Sequence, residues 1–128
     1  MDRTWLVDGM NVIGARPDGW WRDRTGAMRR LLLALEGIGA HVVLDGRPRA
    51  VDPPDGVTVE WADEPGPDAA DRRIAALVRA APGRWHVVTS DGALAAQVRR
   101  AGAPVMGAGA FRRLLEDVSA PGGPRAGA

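Results

Sequence analysis

The chain has 128 residues, 45% hydrophobic and 26% charged, with a net charge of +1, the make-up of one ordinary globular domain with enough chain for a sizeable core. It contains no cysteine, which excludes disulfides, thiol catalysis and thiolate-ligated zinc. It contains no lysine either, all 17 basic residues being arginine, which excludes a P-loop and Schiff-base chemistry.

In chain order, residues 3–7 read as a short buried strand and Asp8-Gly9-Met10-Asn11 as a turn. Residues 15–23 are rich in Pro, Gly and Trp and read as a loop. Residues 25–36 carry Met28, Leu31, Leu32 and Leu35 at helical spacing, with Gly37 and Gly39 as the stop. Residues 41–44 are the next apolar run, broken by Asp45-Gly46-Arg47-Pro48. Over 57–61, apolar Val57, Val59 and Trp61 alternate with Thr58 and Glu60, as a half-buried strand does. After the Pro/Gly loop at 64–67, Asp68 can cap a helix over 69–81 with Ile74, Leu77 and Val78 inward; Pro82-Gly83 ends it. A strand over 85–89, a helix over 91–101, a short strand over 104–106 and a helix over 110–118 complete the order.

Short continuous apolar runs alternating with helices predict an α/β fold. It is a three-layer, doubly wound, mainly parallel sheet, built by residues 1–118 as one domain. Residues 119–128 are rich in Pro, Gly and Ala and read as a disordered tail. The N-terminus lacks an apolar core segment of the signal-peptide kind, and no apolar stretch approaches the roughly 18 residues of a membrane span. The expectation is a cytoplasmic protein.

The aspartates fall where this architecture makes them meet. Asp8 ends the run Trp5-Leu6-Val7, Asp45 ends Val42-Val43-Leu44, and Asp91 follows Val87-Val88-Thr89-Ser90. Asp71 sits near the start of the helix over 69–81. In an open parallel sheet the carboxyl ends of the strands share one edge, and ligands bind there. Carboxylates gathered on that edge repel one another unless a cation joins them. The pattern therefore predicts a divalent-metal site with Asp8 as central ligand and Asp45, Asp71 and Asp91 around it. Mg²⁺ takes oxygen ligands and keeps several waters. In phosphodiester hydrolysis such metals activate the attacking water and stabilise the leaving oxygen. Asn11 is placed to orient a water or bind a phosphate oxygen, and Asp68, Thr89 and Ser90 are accessory candidates. Taken singly, each acid is also an ordinary turn or cap residue. Turns and caps do not require an acid after three separate buried strands.

Several of these segments resemble a known family. Leu6-Val7-Asp8-Gly9-Met10-Asn11-Val12-Ile13-Gly14 resembles the opening "VDGYNVIG" of the YacP-like NYN domains, within the PIN-like nuclease superfamily. Val42-Val43-Leu44-Asp45-Gly46, Asp68-Ala69-Ala70-Asp71-Arg72-Arg73-Ile74 and Val87-Val88-Thr89-Ser90-Asp91 resemble its later motifs in the same order, and Gly107 to Phe111 its late glycine segment. The resemblance covers roughly residues 3–117. It implies a PIN-like sheet in order 3-2-1-4-5 and a Mg²⁺- or Mn²⁺-dependent ribonuclease, with RNA, free or on the ribosome, as partner. The family's acidic positions fall on Asp8, Asp45, Asp71 and Asp91, with Asn11 beside them. Met10 stands where the family usually has tyrosine, and Arg72 where related sequences often carry glutamate.

Arg22, Arg47, Arg72 and Arg73 lie near the expected rim and are candidates for RNA-backbone contact. Trp20 and Trp21 can stack on an unpaired base, although packing over the sheet is the favoured reading for the pair. Trp5, Trp61 and Trp85 lie in expected strands and read as core. His41 and His86 begin strands, at the edge opposite the acids, so neither is assigned as base or ligand. The alternative to a nuclease is a non-catalytic RNA- or ribosome-binding module on the same fold. The residues make no specific case for an oligomer.

Overall fold

The protein, seen in a computed structural model, is described over residues 2–119. Residues 120–128 of the expected tail lie outside the described residues. The elements are β1 (Thr4–Asp8), α1 (Gly9–Gly14), a single 3₁₀ turn (Trp20–Arg22), α2 (Arg24–Ala34), β2 (Ala40–Asp45), β3 (Val57–Ala62), α3 (Ala69–Ala80), β4 (Trp85–Val88), α4 (Gly92–Arg100), β5 (Val105–Met106) and α5 (Ala108–Ser119). The five strands form one sheet in the order β3-β2-β1-β4-β5, and every pairing is parallel.

Strand alternation sends side chains to two cores. Val7, Val42, Leu44 and Val88 pack with Met28 and Leu32 of α2 and Phe111 of α5 on one face. Leu6, Val43 and Val87 pack with Ile74 and Val78 of α3 and Leu94 and Val98 of α4 on the other. Central strands covered on both faces account for the continuous apolar runs in the sequence. Truncating a fully buried side chain such as Phe111 or Ile74 to alanine would cost about 2–5 kcal/mol. Trp85 is buried and its Nε1 donates to the Leu77 carbonyl at 3.2 Å. Trp5 and Trp61 are only partly buried, at the margin of the first core.

The expected turn after β1 is instead the first turn of a helix. The chain enters α1 directly at Gly9. A side chain there would force its neighbours to shift, because a Cβ would lie 2.5 Å from Leu44 Cδ2 and 3.1 Å from the Val43 carbonyl. Glycine lets α1 approach β2 closely. The last helix also starts earlier than expected, at Ala108. β2 and β3 are parallel although residues 46–56 between them contain no helix. This crossover lies against α2: Arg29 donates to the Ala50 carbonyl, and Arg49 Nη1 to Thr25 Oγ1 at 3.2 Å. No helix of the described residues is long and apolar enough to cross a membrane.

Candidate active site

Asp8 closes β1 and is 4% exposed. Among the described residues, it and Thr89 are the buried polar side chains. Asp8 lies two residues beyond Leu6, shares its face of the sheet and so faces α3 and α4. It lies opposite Val43 in the register. Asp45, two residues farther along β2, leaves the same face about 6–7 Å nearer the rim. Asp71 comes from the first turn of α3, and Asp91 is the N-cap of α4. The four acids therefore reach the carboxyl edge of the sheet on one face.

The segment that follows β4 fastens this edge together. Thr89 Oγ1 donates to Asp8 Oδ2 at 2.9 Å and accepts from the Asp91 N–H at 3.1 Å. The Ser90 N–H donates to Asn11 Oδ1 at 2.7 Å, and the Ser90 hydroxyl accepts from the Ala108 N–H at 2.8 Å, tying α1 and α5 to the end of β4. Asp91 Oδ1 accepts from the Leu94 N–H at 2.9 Å, an ordinary helix cap. Asp45 Oδ1 accepts from the Ala70 N–H at 3.1 Å and so caps α3 from another strand. Asp68, expected as that cap, occupies the position but makes no side-chain cap bond. Its φ of 63° places it in the left-handed region, which aspartate tolerates better than most residues. Local sequence had no signal for Asp45 in this role, because the partner is 25 residues away.

The charge balance is uncompensated. Burial pushes the Asp8 carboxyl up to about 7; the Thr89 hydrogen bond opposes this, and the nearby Asp71, Asp45 and Asp91 carboxylates add to it. Asp71 is also raised, first by burial and then by Asp91, Asp68 and Asp45. Among the described residues, the ion pairs join Arg16 to Glu116, His41 and Arg73 to Glu60, and Arg72 to Glu64. None of them involves an acid of this edge. No three His, Cys, Asp or Glu side chains among the described residues converge as a ready metal-ligand cluster. The donor set nevertheless suits Mg²⁺ or Mn²⁺. It consists of carboxylate oxygens with unneutralised charge, and Mg²⁺ needs only one or two protein carboxylates beside waters and substrate phosphate.

The expected arginine rim divides. Arg72 folds back to donate to the carbonyls of Pro65 and Pro67, and Arg73 is bound to Glu60. Arg22 and Arg47 are exposed, with Arg22 5.8 Å from the Trp21 ring centre. Trp20 packs against the first core while Trp21 is 52% exposed. His41 and His86 stand near the amino ends of β2 and β4, His41 beside Glu60 and His86 stacked on Trp5 at 4.3 Å. A cavity of about 230 Å³ lies on the opposite face, lined by Ile13, Leu31, Arg112 and Leu115 among others, and holds none of the four acids.

No protein-family model matches the chain, and no curated protein matches it in sequence. Solved structures do. The chain is similar to Rae1 (YacP) from Bacillus subtilis with 26% identity and a TM-score of 0.72, over 91% of this chain and 74% of that one. The W164L mutant of the same protein matches with 26% identity and a TM-score of 0.71, over 90% and 76% of the two chains. The chain has the YacP-like NYN fold, a PIN-like nuclease-type α/β architecture.

Proposed function

We propose that this chain is a divalent-metal-dependent ribonuclease of the cytoplasm, acting on RNA free or on the ribosome. One observation carries the reading: a buried Asp8, in no ion pair among the described residues, at the carboxyl edge of a YacP-like NYN fold, with Asp45, Asp71 and Asp91 close enough to oppose its ionisation. Asp8 would be the central ligand of Mg²⁺ or Mn²⁺, with the other three acids around it. When bound, the cation would supply Lewis acidity toward the phosphodiester and the attacking water.

The remaining work falls to the chain's own side chains. Thr89 holds Asp8 in one rotamer through its hydroxyl. The Ser90 N–H can donate only to the oxygen of Asn11, so the Asn11 amide nitrogen is left to donate to a phosphate oxygen. Arg22 and Arg47 are available to the RNA backbone, whereas Arg72 and Arg73 are held by the fold. No histidine acts as base in this scheme.

Cleavage of 5′-labelled single-stranded and hairpin RNAs, with Mn²⁺, Mg²⁺ or EDTA, beside Asp8→Asn, tests the proposal. Metal-dependent products that vanish in the variant are expected; undiminished cleavage by Asp8→Asn refutes the assignment. A non-catalytic RNA-binding module draws support from one observation. Asp45 and Asp91 each spend an oxygen on a helix cap. Such a module would retard labelled RNA and never shorten it, even in Mn²⁺.

A further inference from the structure

The 3₁₀ turn ahead of α2 presents an aromatic surface that the cores do not use. The two tryptophans divide their roles. Trp20 is half-buried against the first core, within 3.9 Å of where a Cβ on Gly14 would stand. Trp21 meets it edge-on, ring centres 6.0 Å apart at 87°, and keeps 52% of its surface in solvent. An indole is a large apolar surface to leave wet.

The turn is firmly built. Gly19, at φ 78°, starts it; the Arg22 N–H donates to the Gly19 carbonyl at 3.0 Å and the Asp23 N–H to the Trp20 carbonyl at 3.2 Å. Asp23 then caps α2 through the Gly26 N–H at 3.0 Å. The backbone that carries the exposed ring is therefore fixed before any ligand arrives, which lowers the ordering cost of binding.

One cation lies at this ring and others on the neighbouring segments. Arg22 lies 5.8 Å from the Trp21 ring centre and Arg24 4.9 Å from that of Trp20. Arg47 and Arg49 come from the crossover after Asp45, and Arg49 reaches Thr25 at the start of α2. Among the described residues none of these four arginines is in an ion pair. The location follows from the topology. α2 returns the chain to the amino end of β2, so its own start lies at the carboxyl edge. The crossover docked on it begins at Asp45.

A half-exposed indole beside a guanidinium outside any ion pair of the described residues fits a polyanion with accessible aromatic faces. Unpaired RNA offers both. A duplex offers only its charge, since its bases already stack on one another. We infer that Trp21 is a stacking platform for an unpaired base lying away from the acids, on the α2 side of the carboxyl edge, with Arg22 on an adjoining phosphate, so that the substrate is single-stranded at this position. This inference rests on the ribonuclease reading for its location, and its test is independent of cleavage.

Fluorescence anisotropy in EDTA, with the full chain and a fluorescein-labelled unpaired oligoribonucleotide or a blunt RNA duplex of equal length, measures binding alone. Trp21→Ala is expected to weaken the unpaired RNA about five- to a hundredfold and the duplex less than about twofold, with Trp21→Phe recovering most of the loss. Matching thermal melts would show that this exposed position leaves the fold intact. Equal loss on both RNAs, or none on either, would overturn the inference; no loss on either is also the result expected of a protein-docking surface. Trp21-dependent binding without metal-dependent cleavage by the wild type would support the platform while removing the nuclease. Cleavage without Trp21 dependence would do the reverse.

Discussion

Two carboxylates on the same face of the sheet are driven in opposite directions. Glu60 leaves β3 between Thr58 and Ala62, toward α3, and is bound by Arg73 and, at 3.0 Å, by His41 Nε2. The Arg73 hydrogen bond chiefly lowers its pKa. Asp8 ends the central strand on the same face, with three carboxylates near it and no ion pair among the described residues, and is raised to about 7. Glu60 is what an acid looks like when the fold supplies its counter-charge. Asp8 is an acid whose counter-charge the described residues do not supply, and burial makes that expensive. Strongly perturbed groups of this second kind gather at functional sites.

The largest expected difference is catalytic. Asp8→Asn should lower RNA cleavage by more than about a hundredfold, since even second-layer partners of a metal are worth about 10–100-fold. Initial rates in saturating Mn²⁺ measure it. Thr89→Val should cost about 10–100-fold, because it removes the donor that orients Asp8. The same bond lowers the Asp8 pKa, so the variant's acidic limb in a pH–rate profile should move to higher pH. A rate loss with an unmoved limb would make Thr89 merely structural.

Stability should show the same contrast with inverted sign. An acid whose folded pKa exceeds its unfolded value is a burden once ionised. For Asp8 that burden is absent below about 3.8, grows as pH rises, and is complete above about 7. Metal-free Asp8→Asn should therefore be more stable than wild type by about 2–4 kcal/mol at pH 8, the gain fading toward pH 4. Thermal melts across pH measure it; a less stable variant at pH 8 would contradict the uncompensated-charge account. Mn²⁺ should raise the melting temperature of the wild type more than that of the variant.

Smaller effects belong to the rim and to the paired acid. Arg47→Ala should weaken RNA binding modestly and reduce the slope of log affinity against log salt by about one. An unchanged slope would take Arg47 out of contact with phosphate. Glu60→Gln should cost no more than about 1 kcal/mol, because its arginine partner is 45% exposed and screened, and should leave cleavage within about twofold. The stabilisation it removes is present above pH 4.5 and is lost as pH falls through the lowered folded value.

Much of this architecture was legible in local pattern. The runs ending at Asp8 and Asp45 were apolar enough to be buried strands, and Ile74 and Val78 or Leu94 and Val98 showed helical faces. The motif order matched a known sheet order. Not legible was α1, whose first residues read as a turn. Asp8-Gly9 looks like a turn dipeptide, and only the nearness of Leu44 explains why a glycine opens a helix there. Arg72 and Arg73 looked equivalent to Arg22 and Arg47. Their withdrawal depends on Glu60 and on the carbonyls of Pro65 and Pro67, partners that a linear pattern does not rank.

By itself, then, the sequence determined the elements other than α1 and the 3₁₀ turn, their order and the positions of the acids at strand ends, because hydrophobic periodicity and turn chemistry act over a few residues. Tertiary structure alone decided which oxygens are already spent, as Asp45 is on Ala70 and Asp91 on Leu94. It also decided that Thr89 serves Asp8 across 81 residues, and that Trp20 goes inward while Trp21 stays out. Hydrogen bonds and charge depend on distances and burial, and those exist only once the strands lie side by side.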